Sequence, residues 1–496
     1  MTRYPHRLLA AALSLLWLTV ATPAAASPAV EITGALTVVD RWLVDTDGRV
    51  VVVHGENVVS KTAPYTPEHY GFDTADAEFL RDHRFNGIRL GIIWEAVEPS
   101  PGEYDDVYLD TIRRFVTTAA DHGIYTTVEF HQDRWGSALG GAGAPPWATR
   151  TDGFPDVSGS IVTAQFSPAI YQAFSHFFAD SPAPDGRGLL DHFSRAWQYT
   201  ATRLRGTPGL AGYGILNEPS IGIFQDLCVT GTCPVPSPQQ RLRQFGDRVA
   251  AAIREVDATA PIVESGYILS AIGAVEQVPP STLPGIVHGY NSYAVPCTGA
   301  LRPPIDWCLP FYRDAAAHAR QVMQHDHRPA VLTEFGATDN TDVLAAQTDL
   351  ADAEMSSWYH WNYGGNDPTT TATSPEIEGL LVDARRPPVP ANINAANLAA
   401  LVRPYPQRVA GTPRGWRFER ATGRFEFTYS PARADGTGEF PAGSRTVIAV
   451  PELAYPGGST VTVHGGRVVA TERGRVVVES DSSTADIGVI VTPAAQ

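Results

Sequence analysis

Short apolar runs alternate with longer helical patterns over residues 48–400, and this alternation limits the folds open to the chain. Each run has strand length, and the segments between them repeat apolar residues at helical spacing. Eight such repeats predict an α/β fold, a closed (β/α)₈ TIM barrel rather than an open doubly wound sheet. No Gly-x-Gly-x-x-Gly loop follows a run, which disfavours a nucleotide cofactor. The runs are 50–53, 87–90, 126–130, 212–216, 261–264, 285–288, 330–333 and 357–361.

The pattern changes in the last part of the chain, residues 406–496. Short alternating or apolar runs are broken there by Gly, Pro and Asp-Gly signals, with no pattern of helix length. This predicts a small all-β sandwich as a C-terminal domain. Its role is either to pack against the barrel or to bind carbohydrate or lipid.

The first 26 residues resemble a secretory signal peptide. Arg3 and Arg7 precede the apolar run 8–20, and small residues at 24–26 offer a cleavage site. A membrane anchor is the alternative, but the run is shorter than the roughly twenty residues that span a bilayer. We therefore predict a secreted protein whose barrel covers residues 27–405.

Four cysteines follow, at Cys228, Cys233, Cys297 and Cys308. In an oxidising compartment their spacing favours disulfides between near neighbours, Cys228–Cys233 and Cys297–Cys308, while two other connectivities stay open. A zinc site is disfavoured because there is no Cys-x-x-Cys pair and no accompanying histidine cluster. We expect neither a metal nor an organic cofactor.

The charge balance excludes one class of partner. The chain has 37 basic and 53 acidic side chains, a net charge of −16, and no run of Lys or Arg. Proteins that bind nucleic acid gain affinity from basic residues that displace counterions from phosphates. Nucleic acid is therefore not expected as a partner. Separately, we expect the protein to be a monomer.

Two glutamates follow predicted barrel strands. Glu218 stands in Asn-Glu-Pro after the fourth strand, and Glu334 stands in Thr-Glu-Phe-Gly at the end of the seventh. A single glutamate at such a position is usually a surface or salt-bridge residue. Because catalytic groups of TIM barrels lie at the carboxyl ends of the strands, the pair predicts an active site.

Two carboxyl groups suit the cleavage of an acetal. One acid protonates the departing oxygen, and one carboxylate meets the developing oxocarbenium centre. A separation of about 5 Å gives retention, whereas a wider gap admits water and gives inversion. The two roles require different pKa values, which burial and like charge can provide.

Asn-Glu-Pro and Glu-Phe-Gly at these two strands resemble the retaining glycoside hydrolases of family 5. The resemblance implies that Glu218 is the acid/base and Glu334 the nucleophile. Further segments are similar to the endoglycoceramidase branch, which cleaves between an oligosaccharide and ceramide, and the resemblance covers essentially the whole mature chain. These segments are NVVSK at 57–61, WEAVEP at 94–99, HQD at 131–133, GAPPWAT at 143–149 and PYPQRVAGTP at 404–413.

Four residues carried over by the resemblance are predicted to bind the sugar next to the scissile bond. Asn217 is suited to the 2-hydroxyl, a contact that strengthens toward the transition state. Lys61, His131 and Asp133 at neighbouring strand ends are suited to other hydroxyls. For His131 the alternative is a buried histidine with a purely structural role.

Two further side chains have a functional and a structural interpretation. Arg89 ends the second strand and is predicted to orient the nucleophile, although a buried salt bridge serving only stability is the alternative. Trp361 follows the eighth strand and offers a flat face to the sugar, although core packing is the alternative.

The chain departs from the family after the sixth strand. The family shows His-x-Tyr there, and this chain has Asn291-Ser292-Tyr293. Tyr293 is predicted to reach the nucleophile, while a carboxamide replaces the imidazole and leaves the glycan preference open. A register that uses His288 and Tyr290 would place both residues inside the strand and is less favoured.

The loops 136–180 and 219–237 are rich in apolar residues. They form either a groove for a lipid aglycone or a lid with its own small core. The residues concerned are Trp147, Phe154, Ile161, Phe166, Ile170, Phe174, Phe177, Phe178, Ile221, Ile223, Phe224 and Leu227.

The sequence therefore predicts a secreted, retaining endoglycosidase that acts on a glycolipid and makes transient contact with membranes or micelles. The rival enzymes are an endo-galactosylceramidase, a steryl glucosidase and an endoglucanase or mannanase of the same family. The rival from another class is a non-catalytic glycolipid-binding protein on the same fold.

Overall fold

The computed structural model describes residues 32, 34–157, 167–222, 237–273, 278–298, 302–365, 378–472, 474–481 and 486–495. The predicted signal peptide and the predicted Cys228–Cys233 disulfide lie outside the described residues. We number the strands β1–β19 and the α-helices α1–α11 along the described chain.

Three short N-terminal strands precede the barrel, β1 (Thr37–Val39), β2 (Trp42–Val44) and β3 (Val50–Val51). Eight parallel strands, β4–β11, then close into a barrel in which each strand pairs with its sequence neighbours and β11 pairs with β4. This confirms the predicted TIM barrel. The barrel strands are His54–Val59, Gly87–Ile92, Tyr125–Phe130, Leu210–Gly214, Ile262–Ser265, Ile286–Ser292, Ala330–Phe335 and Ser357–His360.

Seven of the eight predicted strands overlap barrel strands, but the first does not. Val50–Val51 belongs to another sheet, and the first barrel strand is His54–Val59. Residues 50–53 are apolar because they are buried next to the barrel. An apolar run shows that a strand is buried and not which sheet it joins, so the prediction was wrong at this strand.

Helices lie between the barrel strands. In α4, Asp105 caps the N-terminus by accepting a hydrogen bond from the Tyr108 amide, and Leu109, Ile112 and Val116 are buried. The α-helices are Pro67–Tyr70, Thr74–Asp82, Trp94–Val97, Asp106–Asp121, Pro168–Phe178, Leu189–Leu204, Pro238–Arg254, Val295–Thr298, Leu309–His325, Thr341–Ala353 and Ala395–Leu401. Among the described residues, none of the helices combines the length and the apolar character that a bilayer crossing requires.

The C-terminal region forms two antiparallel sheets, as predicted. One sheet has the order β13-β14-β19-β16, and the other has the order β1-β2-β3-β12-β15-β18-β17, so the N-terminal strands complete it. The sheets enclose a separate core that includes Phe425, Phe427 and Tyr429. Strands β12–β19 are Tyr405–Val409, Thr412–Glu419, Arg424–Ser430, Arg445–Ala449, Ser459–His464, Gly466–Glu472, Arg475–Ser480 and Ile487–Pro493.

The sandwich packs against the end of the barrel at which the barrel strands begin. The ring of His54, the first residue of β4, stacks between Trp358 and Tyr405, with centroids 4.3 and 3.6 Å away. Arg403 forms a buried ion pair with Asp352 at the end of α10, with 2.8 Å between the charged atoms. The sandwich therefore covers the amino ends of the strands, and the carboxyl ends open on the opposite face.

The Cys297–Cys308 disulfide is present, which confirms that prediction. It joins α8, in the loop after β9, to the residue that precedes α9. The cross-link thus restrains the sixth strand-to-helix loop, next to the Asn291-Ser292-Tyr293 segment.

We expect His54 to make the stability of the protein sensitive to acid. Burial lowers the pKa of His54 from 6.5 to about 4, so the unfolded chain binds a proton that the folded protein excludes between these values. Stability should be complete above pH 6.5 and fall as the pH drops, by about 2 kcal/mol at pH 5 from this residue. His54→Phe retains a stacking ring without titration, and its stability should fall correspondingly less between pH 7.5 and 5. Denaturant unfolding at the two pH values measures this, and equal losses in both proteins would contradict it.

Candidate active site

Both predicted glutamates lie at the carboxyl end of the barrel. Glu334, near the end of β10, is buried, and Glu218, shortly after β7, is half-buried. The pairing of β10 with β9 shifts between Leu332 and Glu334, which makes Thr333 a bulge. A bulge redirects the side chains around it, and bulges are common next to active sites.

The backbone at Glu218 has an uncommon conformation. Its φ is 38°, in the left-handed region that non-glycine residues rarely adopt. The Gln132 side-chain amide holds this turn by donating to the carbonyl oxygens of Asn217 (3.0 Å) and Glu218 (2.9 Å). Gln132 belongs to the His-Gln-Asp segment, so that segment also supports the backbone of Glu218.

A buried guanidinium connects the strands inside the barrel. Arg89 on β5 donates through Nη1 to Glu334 Oε1 at 2.5 Å and to Asn57 Oδ1 at 2.9 Å. Through Nη2 it donates to Glu129 and to Asn217 Oδ1, the latter at 3.1 Å. Arg89 therefore contacts the predicted nucleophile directly, as expected, and also orients Asn217 beside Glu218.

Sequence reasoning missed Glu129 and Asn57. Glu129 lies in β6 and is buried, and it bridges Arg89 and His131, whose Nδ1 is 2.7 Å from Glu129 Oε1. The available signal was an acidic residue inside a predicted strand of the barrel. A buried charge requires a partner, so Glu129 should have been matched to Arg89 on the neighbouring strand.

The two glutamates have different electrostatic surroundings. Burial and the negative charge of Glu334 raise the pKa of Glu218 to about 8. Burial also raises the pKa of Glu334, but the positive charges of Arg89 and His131 oppose this increase. Glu334 is therefore the better stabilised carboxylate, and Glu218 is the group that keeps a proton near neutral pH.

The residue at the family's histidine position contacts Glu218. Asn291 Nδ2 donates to Glu218 Oε1 at 2.8 Å, and the Thr333 hydroxyl donates to Asn291 Oδ1 at 2.7 Å. The carboxamide therefore lies between the bulge residue and the half-buried carboxyl group. Because the side-chain amide of Asn291 does not titrate, it holds one oxygen of Glu218 without bringing another titrating group into contact with that carboxyl group.

Tyr293 lies where the favoured register places it. Its hydroxyl donates to Glu334 Oε2 at 3.1 Å, while Arg89 binds the other oxygen of Glu334. Burial and the charges of Glu334 and Glu218 raise the pKa of Tyr293 well above 10, so it stays a donor. His288 and Tyr290 lie inside β9, as expected for the less favoured register.

The side chains predicted to bind the sugar from the first, third and eighth strands lie together; they are Lys61, His131, Asp133 and Trp361. Lys61 Nζ is 2.7 Å from Asp133 Oδ2 and lies 4.5 Å from the centroid of the Trp361 ring. The His131 ring is nearly parallel to Trp361, with centroids 5.5 Å apart. Burial lowers the pKa of His131, but hydrogen bonds to Asp133 and Glu129 outweigh burial and raise it to about 9. Two cations and a carboxylate thus line one side of the site, an arrangement suited to sugar hydroxyls.

Oxygen and nitrogen atoms of Glu129, His131 and Glu334 lie within 4.8 Å of one another, a spacing that a metal ion could use. The Arg89 guanidinium already contacts both of these carboxylates. His131, whose pKa is raised to about 9, also contacts Glu129. Two positive side chains therefore compensate the two negative charges, and we assign these residues no metal.

Most of the apolar loop residues that the structure describes are buried or half-buried. Phe174 and Phe177 are buried and pack against Trp135, while Ile170 and Ile221 are also buried. Of the candidates for a lipid groove within the described ranges, Phe154 is the exposed one. These contacts contradict the groove for the buried residues, and they also correct the expected lid with its own core, because Ile170, Phe174, Phe177 and Ile221 belong to the same core as the barrel strands and helices. Ile161, Phe166, Ile223, Phe224 and Leu227 lie outside the described residues.

Comparisons with known proteins agree with this geometry. The model of a family described as Cellulase (glycosyl hydrolase family 5) matches residues 48–367, and the glycoside hydrolase family 5 C-terminal domain matches residues 403–491. The chain is 29% identical to Endoglycoceramidase I of Rhodococcus hoagii (strain 103S) over 89% of this chain and 85% of that protein. It is 28% identical to an Endoglycoceramidase of Cyanea nozakii over 85% of each chain.

The fold is also similar to the solved structure of Endo-glycoceramidase II from Rhodococcus sp. The TM-score is 0.72 at 27% identity, with 92% of this chain and 100% of that chain covered. Other structures of that enzyme, each 26% identical to this chain, hold a lactosyl-enzyme intermediate and ganglioside GM3.

Replacing Arg89 by lysine should move the acid limb of the pH–rate profile. Lysine is a point charge that cannot reproduce the forked contacts to Glu334 and Glu129. The pKa of Glu334 should then rise, so activity should be lost at a higher pH as the solution is acidified, and kcat should fall by about tenfold or more. Hydrolysis of an aryl β-lactoside against pH measures both. Arg84→Lys, a buried arginine at the closed end of the barrel, is the control and should leave the acid limb in place.

Changes at Asn291 should move the alkaline limb. Asn291→Ala removes a hydrogen bond that stabilises the Glu218 carboxylate, and Asn291→Asp adds a like charge, so both should raise the pKa of Glu218. The loss of activity, expected near pH 8 in the wild type, should shift to higher pH in the alanine variant and further in the aspartate variant. An alkaline limb at the same pH in all three proteins would show that Asn291 does not act on Glu218.

Proposed function

This chain belongs to glycoside hydrolase family 5, and from that premise we propose that it hydrolyses the β-glycosidic bond between the oligosaccharide and the ceramide of glycosphingolipids. The observation that carries the proposal is the pair Glu218 and Glu334, one carboxyl group disposed to keep a proton and the other held ionised by Arg89. The similarity to endoglycoceramidases over most of both chains supports the choice of substrate.

The reaction proceeds by double displacement with retention. The Glu334 carboxylate attacks the anomeric carbon while Glu218 gives its proton to the departing ceramide oxygen, which forms a glycosyl-enzyme ester and free ceramide. Glu218, now a carboxylate, takes a proton from water, and the hydroxide attacks the anomeric carbon and releases Glu334. Tyr293 and Arg89 each hold one oxygen of Glu334 through these steps.

The remaining side chains hold the sugar. Lys61, His131 and Asp133 bind hydroxyls of the sugar next to the scissile bond, and Trp361 lies against its ring. Asn217 presents its amide to the 2-hydroxyl because Arg89 already binds its carbonyl oxygen. A sugar that lacks one of these hydroxyls would leave a buried polar atom of the site without its hydrogen bond, so the site selects against it.

We further propose that the protein is secreted, with residues 1–26 as the signal peptide. The Cys297–Cys308 disulfide supports this, because disulfides persist in oxidising compartments. We propose that it acts as a monomer on a substrate held in membranes or micelles.

Substrate trials test the proposal. Lactosylceramide, a ganglioside, a galactosylceramide-linked glycan, cello-oligosaccharides and a steryl glucoside are incubated with the enzyme in detergent, and both products are identified. The proposal predicts intact oligosaccharide plus ceramide, with the β-anomer formed first. Release of cello-oligosaccharides or of sterol alone would assign the protein to another activity of the family.

Two variants separate the roles of the carboxyl groups. Glu334→Gln should abolish turnover of every substrate. Glu218→Gln should slow the cleavage of lactosylceramide by about 10²–10⁴-fold, but should still form the glycosyl-enzyme from a dinitrophenyl lactoside, whose leaving group needs no proton. Burst kinetics and mass spectrometry of the intermediate measure this. Glu354→Gln, beyond α10 at the closed end of the barrel, is the control and should retain activity.

A further inference from the structure

Arg84 is a buried arginine whose guanidinium group has no acidic partner. It lies between α2 and β5, with 7% of its surface exposed. No carboxylate of the described residues forms an ion pair with it, and its Nε is buried without a hydrogen-bond partner. Other buried arginines of the chain are paired with carboxylates, as the cost of burying a charge requires. These are Arg89, Arg243 and Arg403.

Arg84 stays charged at neutral pH in spite of its burial. Burial and the positive charge of Arg475 lower the pKa of Arg84 only to about 10. Asp82 opposes this effect, but its carboxylate is largely exposed and already pairs with Arg81 at 3.0 Å. The fold therefore holds a buried positive charge that no side chain of the described residues neutralises.

A second arginine reaches the same place from the sandwich. Arg475 begins β18 and is half-buried, and its Nε also has no hydrogen-bond partner among the described residues. Gly474, directly before it, adjoins Arg84, because a Cβ on Gly474 would lie 3.0 Å from Arg84 Nε. The Arg475 guanidinium group reaches the barrel, where its Nη2 would lie 3.5 Å from a Cβ on Gly123. Two guanidinium groups thus meet at the junction of barrel and sandwich.

The charges around Arg475 are also mainly positive. Burial and the charges of Arg408 and Arg81 lower the pKa of Arg475, and they outweigh the opposing effects of Tyr405 and Glu472. Since the chain as a whole carries a net charge of −16, this junction is a local exception in an acidic protein.

Hydrogen bonds to the backbone of Arg84 keep the two arginines together. Arg84 has a φ of 70°, in the left-handed region, and its carbonyl oxygen accepts from the Tyr405 hydroxyl at 2.7 Å and from Gln407 Nε2 at 3.1 Å. Both donors belong to β12 of the sandwich. The turn that carries Arg84 is therefore fixed to the sandwich, and the guanidinium groups cannot separate to relieve their repulsion.

We propose that Arg84 and Arg475 form a binding site for a tetrahedral oxyanion, inorganic phosphate or sulfate, at the junction of the barrel and the sandwich. Such an anion accepts hydrogen bonds from two guanidinium groups at once, and arginine is suited to these forked contacts. The anion supplies the negative charge that is missing there, and it joins a residue of the barrel to a residue of the sandwich. Half-buried Arg475 opens the site to solvent. The site lies at the opposite end of the barrel from Glu218, so it does not depend on the proposed hydrolysis.

Thermal unfolding of the protein in phosphate tests the site. At an ionic strength kept constant with NaCl, about 10 mM phosphate should raise the unfolding midpoint of the wild type by about 2 °C, the shift expected for a Kd of about 1 mM. The rise should saturate with concentration, and sulfate should act in the same way. Arg475→Gln, which keeps a polar side chain but removes the charge, should lose the rise.

Arg467→Gln is the matched control. Arg467 lies on the neighbouring strand β17, and Glu479 compensates its charge at 2.6 Å. This variant removes one positive charge from the same sheet and should keep the full rise in phosphate. The comparison also separates binding from general stabilisation by excluded salts, which does not saturate and acts equally on all the variants.

Calorimetric titration with phosphate gives the second readout. Wild type and Arg467→Gln should each bind one phosphate per chain, and Arg475→Gln should bind it about tenfold more weakly or not at all. A cooperative unfolding transition in NaCl shows that the variant is folded. If Arg475→Gln does not fold, Arg475→Lys takes its place: it keeps the charge without the fork, and its rise in phosphate should be smaller than that of the wild type.

Two results would overturn the proposal: no saturable binding of phosphate or sulfate to the wild type, or a rise of the midpoint in the Arg475 variant equal to that of the wild type. Neither measurement uses a glycolipid substrate. A failure of the proposed hydrolysis would therefore leave the test of this site unchanged.

Discussion

The buried guanidinium of Arg89 is the interaction around which the active site is arranged. It donates hydrogen bonds to Glu334 and Glu129, orients Asn217 through its carbonyl oxygen and reaches Asn57 on the first barrel strand. A buried charge without partners would be costly, so the strand ends that carry these residues are held in one geometry. The difference between the two glutamates follows, since Arg89 contacts Glu334 and not Glu218.

The two ends of the barrel differ in what covers them and in which residues they carry. The amino ends of the strands are closed by the sandwich, and the contacts there are buried rings and ion pairs such as Arg403 with Asp352. The carboxyl ends carry the charged site and the disulfide-bonded loop. The sandwich therefore closes the amino ends of the strands, and the site at the carboxyl ends stays open to a substrate.

Much of the site was predictable because strand ends converge. Once Glu218 and Glu334 are placed at the carboxyl ends of barrel strands, they must open onto one face, and the structure places Tyr293 and Arg89 on Glu334 as the resemblance implied. Glu129 was missed because a residue inside a strand shows its direction only after the register is known. The contact of Thr333 with Asn291 was missed for a similar reason, since a bulge shifts the register within a single strand.

By itself the sequence determined the alternation of strands and helices, the all-β C-terminal region and the two acidic residues, because periodicity and motifs are local properties of a chain. Only the tertiary structure decided that residues 50–51 complete the sandwich and that Phe174 and Phe177 are buried in the core of the barrel. The physical reason is that burial of an apolar residue is favourable against any apolar surface. The sequence around the residue does not specify which surface it will contact. The strands that it pairs with and the side chains that it packs against come from distant parts of the chain, so only the tertiary structure determines that surface.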